Sequence, residues 1–180
     1  MKVYAITDKN TIRQCREFLE YHSERDLLLF ELGVKLTLRV SDILNLRVRD
    51  VYKKNTLRII QKKTNEPIEI PIRTDLKKLI NKYCKDKDPY EYIIKSRKGK
   101  NRPISPTQAY RILKNMADYI GIEKIGTHSL RKTGAFHIYN ETKDVEFVRR
   151  LLGHKTNDQV FRYIYSGMKS DRELINKVKF

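Results

Sequence analysis

The sequence predicts a mainly α-helical domain carrying one small antiparallel β-sheet, an α+β class, and three observations lead there. Apolar residues recur at helical spacing through most of the 180 residues, many of the segments bracketed by capping residues or stopped by glycine. From Asn55 the period changes, and Ile68, Ile70 and Ile72 alternate with other residues. No internal repeat, low-complexity tract or long linker interrupts the chain, whose length fits one domain able to bury a single core unaided.

Taken in order, Thr7 or Asp8 can cap a first helix running to about Tyr21, with Ile12, Cys15, Phe18 and Leu19 on one stripe. "DLLLFELGVKL" is a second, strongly apolar helix, and "TLRVSDILNLRVRDV" is a turn carrying Arg39 followed by a short helix that Ser41 could cap. "TLRII" and "PIEIPI" flank the polar "KKTNE", which makes residues 57–72 a β-hairpin. Helix resumes at "TDLKKLINKYCKD"; "YEYIIKS" is a short strand, and "RKGKNRP" a basic loop. Ser105, Pro106 and Gln108 form a start signal of capping-box type, and Gly121 closes that helix. Further helices are expected at "HSLRKTGAFHIYN", at "DVEFVRRLL" before Gly153, at "NDQVFRYIYS" before Gly167, and at "SDRELINKV".

The charge narrows the partner. Lys and Arg number 39 against 22 Asp and Glu, a net +17 with no dominant run of like sign, so the basicity belongs to a folded surface. Such an excess suits a polyanion, because each neutralised phosphate releases condensed counterions. A membrane surface or ribosome is the competing partner on charge alone. The N-terminus has no apolar run of signal-peptide length, and "LLLFELGV" is far short of a membrane span. Cys15 and Cys84 lack metal-type spacing and fit free thiols in a reducing, cytoplasmic setting.

Several chemistries lack their residues. There is no G-x-x-x-x-G-K-[ST] phosphate loop, no convincing carboxylate cluster for two metals, and no His/Cys set with zinc spacing. What remains is basic. In "HSLR", His128 and Arg131 stand three apart on one helix face, where a guanidinium can grip a phosphate and an imidazole can move a proton. In "LGH", His154 follows a helix stop, where it could equally serve the helix's last carbonyls. Arg39 alone fits a solvated surface residue, and Lys62 and Lys63 at a hairpin tip fit edge-strand protection.

In order, these pieces resemble the tyrosine recombinase (phage integrase) family. The matching stretches are "TLRVSDILNLRVRDV", "IIQKKTNEPIEIPI", "THSLRKTGAFHIY" and "LLGHKTNDQVFRYIY", which together span nearly the whole chain. The resemblance implies a recombinase catalytic-domain fold. It implies a site-specific recombinase or integrase that cleaves and rejoins DNA through a 3′-phosphotyrosyl intermediate, without metal, ATP or other cofactor. Carried over residue by residue, Arg39 and Arg131 bind the scissile phosphate, His128 assists proton transfer, and His154 hydrogen-bonds a phosphate oxygen. Lys63 is the general acid, with Lys62 as runner-up. Tyr163, nine residues beyond His154, is the nucleophile. Two residues on a helix turn about 200°, so Tyr165 faces roughly the other way and packs.

The pattern departs from the family's in places. Asp42 stands where glutamate is usual, "LT" replaces the threonine-glycine before Leu38, and "NEP" replaces later basic residues of the hairpin. The usual N-terminal core-binding domain is missing, so residues 1–180 are expected to be one catalytic domain, as a single-domain recombinase or a catalytic fragment. The implied partners are double-stranded DNA and three further protomers, a homo-tetramer on DNA and a monomer without it, in a bacterial or phage-encoded setting with no membrane. Leu174, Ile175, Val178 and Phe180 give the tail, residues 168–180, an apolar face for docking on a neighbouring protomer or on its own domain. Two other functions fit the same residues: a topoisomerase-like nicking and closing enzyme, and a non-catalytic basic DNA-binding module.

Overall fold

The computed structural model describes residues 3–61, 65 and 67–165. The elements among them are α1 (Lys9–His22), α2 (Glu24–Lys35), α3 (Val40–Asn45), α4 (Val48–Val51), β1 (Thr56–Ile60), β2 (Pro67–Pro71), α5 (Thr74–Cys84), α6 (Pro106–Ile120), α7 (Thr127–Thr142), α8 (Val145–Leu152) and α9 (Asn157–Ile164). The mainly helical class with one small sheet is what the periodicity predicts. The helix expected at "SDRELINKV" and the docking tail lie outside the described residues.

Local chemistry accounts for most helix starts. Asp8, Ser23, Ser105, Asp144 and Thr156 each accept a backbone amide of the following turn through a side-chain oxygen. Pro106 occupies the first turn of α6, and Gly121 ends it at φ 88° in the left-handed region. Three expectations need correction. Ser41 is not a cap, because α3 already begins at Val40 with Arg39 at the cap position and no side-chain bond. The short α4 is absent from the sequence reading. "YEYIIKS" forms no strand; it makes only isolated bridges, Arg47 with Tyr92 and Lys95 with Pro103. Its backbone partners are distant loops: the Ile93 amide donates to the Leu46 carbonyl at 3.0 Å, and the Ile94 carbonyl accepts from Ile104 at 3.0 Å.

The core is organised around α2. All residues from Leu27 to Val34 are buried, Glu31 included, and the helix packs against α1, α3, α5 and α7. Glu31 is tolerated because Arg16 and Lys35 pair with it, and Lys35 also reaches Asp75 at the start of α5. Where α2 crosses α7 the backbones nearly touch. A Cβ on Gly134 would lie 1.9 Å from the Val34 carbonyl oxygen, and one on Gly33 would lie 2.6 Å from Leu130. β1 and β2 pair antiparallel from Thr56↔Pro71 to Ile60↔Pro67, sinking Leu57 and Ile70 into the core. A second, smaller cluster of Ala135, Val148, Leu152, Val160 and Ile164 holds α8 and α9 to the C-terminal half of α7. Cys15 and Cys84 are free and buried. No helix among the described residues is long and apolar enough to cross a membrane.

Candidate active site

Four of the residues singled out in the sequence converge where α7 passes the start of α3, the end of α8 and the face of α9. Arg131 is the centre. It lies one turn into α7, is 3% exposed, and is held by two main-chain acceptors. Its Nη1 donates to the Thr37 carbonyl at 2.8 Å and its Nη2 to the Leu152 carbonyl at 2.6 Å. Both acceptors exist for local reasons. Thr37 sits at φ 51°, a conformation strained for a β-branched residue, in the turn that leads to Arg39. Gly153 ends α8 at φ 60°, which leaves the Leu152 carbonyl outside the helix ladder and sends the chain on to His154.

Arg39, at the cap position of α3, donates through Nη1 to Oε1 of Gln61. Its charge acts directly on Arg131. Burial, and next the charge of Arg39, bring the Arg131 guanidinium down to about 10, while Tyr163 and the buried Asp42 oppose them. Two guanidiniums held in one electrostatic neighbourhood are mutually unfavourable until an anion enters between them.

Tyr163 lies in the last turn of α9, next to its final residue, anchored by Val160 and Ile164 in the smaller core. Its hydroxyl oxygen is shut off from solvent and interacts with Arg131. Burial pushes the phenol above its ordinary value, and the charges of Arg131 and Arg39 work against that push. The His154 ring stands edge-on to the Tyr163 ring, with centroids 5.2 Å apart at 89°. Burial first, and then Arg131 and Arg39, hold this imidazole below its ordinary value, so it is neutral near pH 7. Tyr165 faces elsewhere. It meets Phe136 and Tyr139 edge-on at 6.2 Å and 6.4 Å and lies parallel to Phe161 at 6.4 Å.

His128 is in the first turn of α7, exposed and three residues before Arg131. Lys63 and its runner-up Lys62 lie outside the described residues. Two contributors escape the sequence reading: Gln61, which holds Arg39, and Thr37, which holds Arg131. Gln61 left one signal. It continues the alternation of Leu57 and Ile59 at the end of β1, a polar residue at an inward position, and it is 3% exposed. Among the described residues, no group of three or more His, Cys, Asp or Glu is placed to hold a metal ion. The arrangement therefore offers an anion site of two guanidiniums and an imidazole, with a buried phenol alongside.

The phage integrase family model matches residues 6–169. A probable integrase/recombinase of Bacillus subtilis, YoeC, is 41% identical over 162 residues, covering 90% of this chain and 89% of that protein. The tyrosine recombinase XerA of Pyrococcus horikoshii is 31% identical over 159 residues, 86% of this chain but 55% of its own length. In fold, the chain superimposes on a lambda integrase dimer solved bound to a COC′ core site, with a TM-score of 0.74 at 22% identity, over 100% of this chain and 52% of that one.

Proposed function

The chain belongs to the phage integrase family, and from that premise we propose that it is a site-specific DNA recombinase whose nucleophile is Tyr163. The Tyr163 oxygen attacks the scissile phosphorus, a bond forms between them, and the bond from phosphorus to the 5′ oxygen breaks. The phenol proton leaves with help from His128, and Lys63 supplies a proton to the departing 5′ oxygen. Rejoining is the reverse, with an incoming 5′ hydroxyl attacking the 3′-phosphotyrosyl bond. One phosphodiester replaces another, so the exchange conserves bond energy and calls for neither hydrolysis of ATP nor a metal.

The observation that carries this reading is the Arg39–Arg131 pair beside the Tyr163 hydroxyl. As the phosphorus becomes five-coordinate its equatorial oxygens gain negative charge, and two guanidiniums stabilise that charge. A neutral His154 can donate a further hydrogen bond to one of those oxygens. The same phosphate relieves the repulsion between the arginines, so substrate binding and charge stabilisation draw on one interaction. Double-stranded DNA is the partner, with protomers assembling on it as a tetramer.

A nicked suicide substrate carrying the target site tests the proposal. A covalent protein–DNA adduct on a denaturing gel is expected from the wild-type protein and from Tyr165→Phe, and none from Tyr163→Phe. An adduct that survives Tyr163→Phe would refute the nucleophile assignment. Relaxation of supercoiled DNA without recombination of two sites would instead favour the nicking and closing activity.

A further inference from the structure

Lys132 follows Arg131 on α7, yet it does not point into solvent as an ordinary lysine would. The residue is only 8% exposed. Its Nζ donates to the carbonyl of Val3 at 2.9 Å and stands 5.1 Å from the centroid of the Tyr163 ring. We propose that Lys132 is a positioning residue for Tyr163, its ammonium pinned by the N-terminal segment and held over the phenol face so that the hydroxyl stays directed at Arg131. The proposal rests on Tyr163 being the nucleophile, but not on any role for Lys132 at the phosphate.

The pinning is built from several contacts. The Ile6 amide donates to Thr133 Oγ1 at 2.8 Å, His137 Nε2 lies 3.0 Å from the Ile6 carbonyl, and the Tyr4 amide donates to the Lys124 carbonyl at 3.1 Å. Residues 3–6 are thus stitched along α7 and the loop before it, and the Val3 carbonyl is a fixed acceptor for the ammonium. A cation over an aromatic face is attracted by the ring's negative quadrupole, and more strongly once the phenol is ionised. Lys132 therefore favours one ring orientation and favours the phenolate over the phenol. Among the described residues, the charged and titratable groups around Tyr163 include Arg131 and Lys132 from α7, Arg39 from the start of α3, and His154 from beyond α8. Lys132 stands over the ring face, while Arg131 interacts with the hydroxyl and His154 meets the ring edge-on.

Lys132→Gln separates the two parts, since the amide can still donate to the Val3 carbonyl while the charge is gone. Proteins labelled with ¹³C at the tyrosine Cζ would be titrated by NMR, the Tyr163 signal being identified by its loss in Tyr163→Phe. Lys132→Gln is expected to raise the Tyr163 midpoint by about half a unit to one unit, and to slow adduct formation at neutral pH about 3- to 10-fold. Lys132→Arg keeps the charge and should restore both toward wild type. A Tyr163 midpoint unchanged in Lys132→Gln would overturn the proposal. Persistence of the adduct in Tyr163→Phe would instead overturn the nucleophile assignment, and the NMR titration keeps the two failures apart.

Discussion

His154 loses solvent on entering the fold and meets the charges of Arg131 and Arg39, so its imidazole is held below the ordinary 6.5. A histidine with a lowered folded pKa binds fewer protons in the fold than in the unfolded chain. Its favourable contribution is complete above the unfolded value and is lost as pH falls through the folded one. Wild-type protein should therefore lose more stability between about pH 7 and about pH 5 than His154→Asn does, measured by urea unfolding at both pH values. Equal losses would mean that the imidazole is not penalised in its charged form. At this scale the sequence was partly legible. Arg39, Arg131, His154 and Tyr163 stand out as an ordered motif, whereas Gln61 and Thr37 do not, because each acts through one contact made in the folded state. Thr37 sharpens one departure from the family pattern: it holds a left-handed backbone where the pattern has glycine, which adopts that conformation freely.

Between elements, the crossing of α2 and α7 sets where Arg131 sits relative to Thr37. In an isolated helix, alanine is preferred over glycine by about 1 kcal/mol. At Gly134 that gain is outweighed, since the added carbon would fall 1.9 Å from the Val34 oxygen and 2.7 Å from Thr37 Cγ2. The obstacle is helix backbone, which cannot swing aside as a side chain can. Gly134→Ala should destabilise the fold by about 1–3 kcal/mol net, seen as a lower urea midpoint, and should weaken adduct formation by moving Arg131. A midpoint at or above wild type would show that the two helices can separate freely. Helices with their own caps, such as α6 and α8, were readable because the signal lies within a turn of each end. "YEYIIKS" has the composition of a strand, yet Leu46 and Ile104 bond its backbone in place of a neighbouring strand.

Across the whole molecule, the net charge of +17 predicts how DNA binding answers to salt. Each phosphate neutralised on a duplex contributes about −0.9 to the slope of log affinity against log salt. Fluorescence anisotropy with a labelled duplex should give a straight, steeply falling line, and an affinity indifferent to salt would count against a polyanion as the partner. By itself the amino-acid sequence determined the helical class, the hairpin, the Ser105 cap, the glycine stops of α6 and α8 and the order of the basic motif, because periodicity, capping and spacing act over a few residues. Only the tertiary structure decided which side chains meet. Arg39 and Tyr163 are far apart in the chain, and they share a site because α7 is pressed onto α2 on one side and onto α9 on the other. The Thr37 and Leu152 carbonyls become acceptors for Arg131 only once that packing has brought them to it, and the Val3 carbonyl becomes one for Lys132 in the same way. Main-chain acceptors of this kind carry no residue signature, since every residue has a carbonyl and only the fold selects the one that is used.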